Sequence, residues 1–159
     1  MNILTVNLML QTFVYALIAA IYLFPYLPQL GARAVIVPIL LLHATRHLGL
    51  MFLAPGAIYP GLPAQFAAPA AYGDLIAALL ALLALAAVMR ESSLGRPLVA
   101  LFNIWGTLDL ILAIVLATLH DASPHMGPAY WIPAFWVPML LVTHAIVFWL
   151  LGKRWVGAV

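Results

Sequence analysis

The chain has 159 residues, 67% of them hydrophobic and only 6% charged, with a formal net charge of +2. Soluble domains carry roughly 25% charged residues, so this composition cannot cover a water-facing surface. Six lysines and arginines supply no basic patch for nucleic acid, and the absence of cysteine removes disulfides and thiolate ligands from consideration.

Runs of about 20 apolar residues read as membrane-spanning helices. Five are present, and they use almost the whole chain. The expected fold is therefore an all-α integral membrane protein, one transmembrane helical bundle over residues 1–159 with no separate soluble domain. Helix 1 is expected at about 3–25. It lacks a basic n-region and a good cleavage site, so it reads as a retained span and not as a signal peptide. Asn7, Gln11 and Tyr15 recur on it at i, i+4 and i+8, a polar stripe on an apolar helix.

Helix 2, at about 35–54, contains "LLHATRHLGLMF". At α-helical spacing His43, Arg46 and His47 fall within an arc of about 100° and give this helix one polar face. The connection 55–69 is uncharged, with four prolines and two glycines, and is expected to lie at the interface or fold over the helix ends as a lid. Helix 3, at about 71–90, is nearly all alanine and leucine. It reads as a supporting element, with Asp74 near its outer end, where water could reach it, and counted with Asp109, Asn103 and Gln11 in one buried polar network.

Helix 4 is expected at about 97–120, with Asn103, Gly106 and Thr107 on one face and Asp109 on its flank. A glycine there lets another helix approach closely. His120, Asp121 and His125 follow within six residues and read as a solvated polar turn before a metal site. Helix 5, at about 128–151, carries Pro133 and Pro138, each of which removes a backbone donor and bends the helix. Tyr130 and Trp131 suit an aromatic belt. Phe135 and Trp136 lie deeper and are expected to line a pocket.

The cations fix an expected orientation. Arg33 follows helix 1, Arg90 and Arg96 follow helix 3, and Lys153 and Arg154 follow helix 5, so all five share one side. The N-terminus is expected outside and the C-terminus inside, in a bacterial inner (cytoplasmic) membrane.

Three charged residues fall inside spans: Arg46, Asp74 and Asp109. An unpaired ion at a helix centre costs on the order of 2.5–3.5 kcal/mol even on lenient scales. Counting about 1.5 Å per residue from the helix midpoints puts Arg46 and Asp109 at the same depth, as partners. His43 lies slightly inward of them, and His47 and Gln11 slightly outward. His144 and Asn103 lie further inward.

Three readings follow. The first is a cofactor or ligand site in which His43 or His47 faces His144, holding haem or a transition metal for redox work, with Arg46 on a propionate. The second is proton-coupled or small-solute translocation by an oligomer, with the histidines and aspartates as a relay. The third is a structural accessory subunit of a larger membrane complex. No span contains lysine, so a retinal Schiff base is excluded. No nucleophile motif or nucleotide fingerprint marks an enzyme. A lipid-modifying activity would have to draw on Asp74, His120 or His125. The expected partners are the bilayer and a homo-oligomer or larger complex.

Overall fold

The structure, a computed structural model, describes residues 3–153. Arg154, one of the orienting cations, lies outside the described residues. Five helical segments are long and apolar enough to cross a membrane: Ile3–Leu23, Ala32–Leu53, Ala64–Met89, Gly95–Leu119 and Gly127–Gly152. They are called spans 1 to 5 below. This composition and architecture assign the protein to a membrane.

Spans 3 and 4 are uninterrupted α-helices of 26 and 25 residues. Span 3 begins at Ala64, seven residues earlier than the expected start at 71. The alanine-rich stretch 64–71 favours helix strongly enough to carry Pro69 within it. On this span the alanines face inward, with Ala71, Ala77, Ala81 and Ala84 fully buried, while Leu79, Leu82 and Leu83 face outward. Lipid solvates leucine as well as protein does, so close approach of small residues, and not hydrophobicity, decides which face packs.

The other spans change helix type along their length. Span 1 ends in a π-helical turn, Ala19–Leu23, and span 5 passes through another, Ile132–Trp136. Span 2 is α-helical over Ala32–Ala44 and then a 3₁₀-helix over Thr45–Leu53. Nine residues is long for this form, which rarely exceeds three or four. With three residues per turn, every third side chain eclipses the last. The buried residues of the segment are accordingly Arg46, Gly49 and Phe52.

Span 1 is peripheral. It packs mainly on span 5, and only Leu4 and Ala19 among its residues are buried. The remaining spans surround a thin polar layer made of His43, Arg46, Asp74, Asn103, Asp109 and His144, all buried. Two apolar clusters enclose this layer. One, with Phe52, Phe66, Ala117 and Ile132, lies toward the connection 54–63. The other, with Leu40, Val99, Phe102 and Val147, lies toward the end that carries Arg33 and Arg96. At that second end Arg33 pairs with Glu91 at 2.7 Å, and Arg96 donates to the Leu151 carbonyl at 3.3 Å.

The connection 54–63 is folded against the start of span 5. Tyr59 N–H donates to the His125 carbonyl at 3.0 Å, Ala129 N–H to the Ala57 carbonyl at 2.9 Å, and His125 Nδ1 meets the Pro60 carbonyl at 3.1 Å. Gly56, Gly61 and Gly127 take positive φ, which lets the segment turn back on itself. His125 therefore serves to fasten this strap.

Candidate functional site

Arg46 is the centre of the polar layer and is 1% exposed. Its Nε donates to Asp74 Oδ1 at 2.7 Å, and its Nη2 to Asp109 Oδ2 at 2.6 Å. Its Nη1 reaches the Gly106 carbonyl at 3.2 Å and His144 Nε2 at 3.3 Å. The partnership of Arg46 with Asp109 inferred from matched depth is present. A second carboxylate joins it. Asp74 lies ten residues into span 3, about 15 Å from its start, and is buried where a water-accessible position was expected. The earlier start of span 3 accounts for the difference.

Three glycines make room for these groups. A Cβ at Gly49 would overlap Asp74 Oδ2, and one at Gly73 would overlap Asp109 Oδ1. One at Gly106 would lie 2.6 Å from His144 Cε1 and 2.7 Å from Arg46 Nη1. Each carboxylate thus has one oxygen on Arg46 and the other against a glycine. The oxygens against Gly49 and Gly73 receive no hydrogen bond among the described residues. Trp105 Nε1 donates to the Gly73 carbonyl at 3.4 Å and closes the seam between spans 3 and 4.

The chemistry of the neighbours sets the tautomer of His144. A guanidinium only donates, so Nε2 accepts from Arg46. Asn103 Nδ2 donates to the His144 carbonyl at 3.2 Å, which leaves Oδ1 to accept from His144 Nδ1–H at 2.7 Å. Both ring nitrogens are engaged and the ring is held at each end. His43 is less complete. The Thr143 hydroxyl donates to the Met139 and Leu140 carbonyls, so it accepts from His43 Nε2–H at 2.8 Å. His43 Nδ1 is then a buried acceptor without a partner. The two imidazoles touch, with ring centres 4.3 Å apart.

The other candidates lie apart from this layer. His47 is exposed and its Nδ1 meets only the Ala44 carbonyl at 3.1 Å. An α-helix would set residue 47 about 100° from Arg46 but only about 40° from His43; the 3₁₀ winding, at about 120° per residue, swings it further from both and out of the buried face. The stripe on span 1 faces span 5 and not a shared interior: Asn7 donates to Tyr130 Oη at 3.1 Å, and Tyr15 packs edge-on against Phe135. Gln11 is half-buried on that seam and has no contact with Arg46. Phe135 is 50% exposed on the outside of the bundle and does not line the cluster. The π-helical turn there rotates Ile132 and Pro133 inward instead. Trp136 is half-buried against Trp131.

As a cofactor site the donor set is meagre. His43 Nδ1 is the one free imidazole nitrogen in the layer, and the contact between the two rings leaves no gap for a macrocycle. No group of three or more metal-ligating side chains occurs among the described residues. What the arrangement can do is hold charge. One guanidinium faces two carboxylates in a water-poor layer, so the fully ionised cluster carries one negative charge in excess.

No curated protein and no solved structure matches the chain. One family does, with a match over residues 3–152 that covers all five spans and every residue of the polar layer. The chain belongs to that family, described as a domain of unknown function (DUF8737).

Proposed function

We propose that the Arg46–Asp74–Asp109 cluster binds one exchangeable proton within the membrane, and that the protein uses it in proton-coupled translocation. The supporting observation is the mismatch of one buried guanidinium with two buried carboxylates. A proton on either carboxyl removes the excess charge and fills one oxygen that has no donor. Ionisable groups inside spans mark proton and ion pathways. The one-sided cations favour an N-terminus outside and a C-terminus inside, as in a bacterial inner membrane. Five spans with a closed polar layer favour a homo-oligomer or a larger complex as the working unit.

The test is infrared difference spectroscopy of the reconstituted protein during pH changes, together with proton flux into vesicles. A protonated-carboxyl band that titrates, and is lost in Asp109→Asn with Asp74→Asn, supports the reading. A spectrum without such a band overturns it.

A second reading, haem or metal binding at the histidines, draws on the unpartnered His43 Nδ1. It requires His144 to give up Asn103 or Arg46. The absorbance spectrum and metal content of the purified protein decide it. If neither test is positive, the accessory-subunit reading is the one left.

A further inference from the structure

A proton could cancel the excess negative charge of the polar layer at two kinds of group. One is a carboxylate oxygen of Asp74 or Asp109. The other is His144, whose Nε2 lies 3.3 Å from Arg46 Nη1 and whose imidazolium would balance the charge equally well. Charge counting does not separate the two. The hydrogen bonds do.

Both ring nitrogens of His144 are committed. Its backbone carbonyl accepts from Asn103 Nδ2 at 3.2 Å, which turns Asn103 Oδ1 toward His144 Nδ1 at 2.7 Å. An amide oxygen only accepts, so Nδ1 carries the hydrogen and Nε2 the lone pair. That lone pair is in use. Arg46 Nη1 has two hydrogens, and its two acceptors are His144 Nε2 and the Gly106 carbonyl, the latter at 3.2 Å. Gly106 seats this contact, since a Cβ there would lie 2.7 Å from both His144 Nε2 and Arg46 Nη1. A proton on Nε2 would set one N–H against another and an imidazolium against the guanidinium. The carboxylate oxygens beside Gly49 and Gly73, by contrast, receive no donor among the described residues.

His144 is faced by Arg46 and His43 from span 2 and by Asn103 and Phe102 from span 4. Asp74 of span 3 and Asp109 of span 4 are joined to it through Arg46. His43 is tied to Thr143, and among the described residues no hydrogen bond joins it to either carboxylate.

We infer that Asn103 and His144 are positioning residues of the proton site: Asn103 holds His144 in its Nδ1–H form, and His144 thereby serves as a fixed acceptor for Arg46 and is barred from carrying the proton. This rests on the reading of the cluster as an exchangeable proton site and narrows that site to its two carboxyls. When a proton binds, an O–H bond forms at Asp74 or Asp109, and no N–H bond forms at the imidazole.

The experiment uses the full chain in vesicles. Nitrogen NMR with isotope-labelled histidine reports the tautomer and charge of each ring, and infrared spectra follow the carboxyl band over the same pH range. The signals missing in His144→Gln identify His144. In the natural chain they should show a neutral Nδ1–H ring throughout the carboxyl titration. Glutamine can accept from Arg46 but does not titrate, so His144→Gln should keep the carboxyl band and its pH profile. Asn103→Leu releases the ring. The Nε2–H form should then appear, and the carboxyl band should weaken as the imidazole takes part of the proton. A merely structural Asn103 would leave both signals unchanged in the folded fraction, and that result overturns the inference. So does an imidazolium at His144 in the natural chain, or loss of the carboxyl band in folded His144→Gln. The last two outcomes leave an exchangeable proton in the layer and move it to the histidine. A natural chain with neither a titrating carboxyl nor an imidazolium overturns the proton site as well.

Discussion

Gly106→Ala is a stringent perturbation because it adds one methyl group and removes nothing. In a lipid-exposed helix the change would help, since alanine is favoured over glycine by about 1 kcal/mol in a helix interior. Here the new Cβ would lie 2.6 Å from His144 Cε1 and 2.7 Å from Arg46 Nη1. Neither neighbour yields easily. His144 is fixed by two hydrogen bonds to Asn103, and Arg46 by two carboxylates. Overpacking costs about 1–3 kcal/mol, and the displaced guanidinium loses a charged hydrogen bond of about 1.5–3 kcal/mol. Set against the gain in propensity, the net loss should be roughly 1.5–5 kcal/mol. Reversible unfolding in mixed micelles measures it. Gly152→Ala is the control, because nothing lies within 4 Å of a Cβ there, and its stability should be unchanged or higher. A Gly106→Ala protein as stable as the natural one would show that Arg46 and His144 are not packed against span 4 as described.

Asp74→Asn and Asp109→Asn should each be tolerated, because either leaves a neutral pair with Arg46. The double variant leaves a lone buried cation and should lose about 3–5 kcal/mol, well beyond the sum of the two; additive losses would refute the sharing of one guanidinium. Asn103→Ala strands His144 Nδ1–H and should cost about 1–3 kcal/mol in the same unfolding assay, more than Thr107→Ala on the half-buried neighbouring turn. Cysteines at Asp121 and Ser92 should react with an impermeant reagent from opposite faces of the membrane, and labelling of both from one face would overturn the five-span topology.

The number of spans was readable because it depends only on apolar length. The Arg46–Asp109 pair was readable because an unpaired charge in a span has few alternatives. What escaped the sequence was local winding. Treating residues 45–53 as α-helix kept His47 within about 40° of His43, whereas a spacing of three for Arg46, Gly49 and Phe52 is the trace the 3₁₀ form leaves. Likewise the prolines in "GPAYWIPAFWVP" announced an irregular helix, but not that a π-helical turn would face Phe135 outward. Asp74 was placed in the buried polar network, but its depth and its pairing with Arg46 were missed for a different reason. The prolines at 60, 63 and 69 suggested a connection as far as 69, and Pro69 proved to be inside span 3. A glycine immediately before an aspartate, in a helix otherwise built of alanine and leucine, was the available signal that something bulky and polar crosses there.

A purely structural lock between spans 2 and 4 would be complete with Arg46 and Asp109. Adding Asp74 introduces a second buried carboxylate, and such groups gain little net stability from pairing. Making room for the layer also requires glycine at 73 and 106 in the interiors of spans 3 and 4, each at about 1 kcal/mol of helix propensity relative to alanine. Elsewhere, beyond Phe66 near its start, the buried face of span 3 is built of alanine. Stability by itself would have been served by one more alanine at position 74. A carboxyl at that position, sharing one cation with Asp109, is the feature on which the proposed proton site rests.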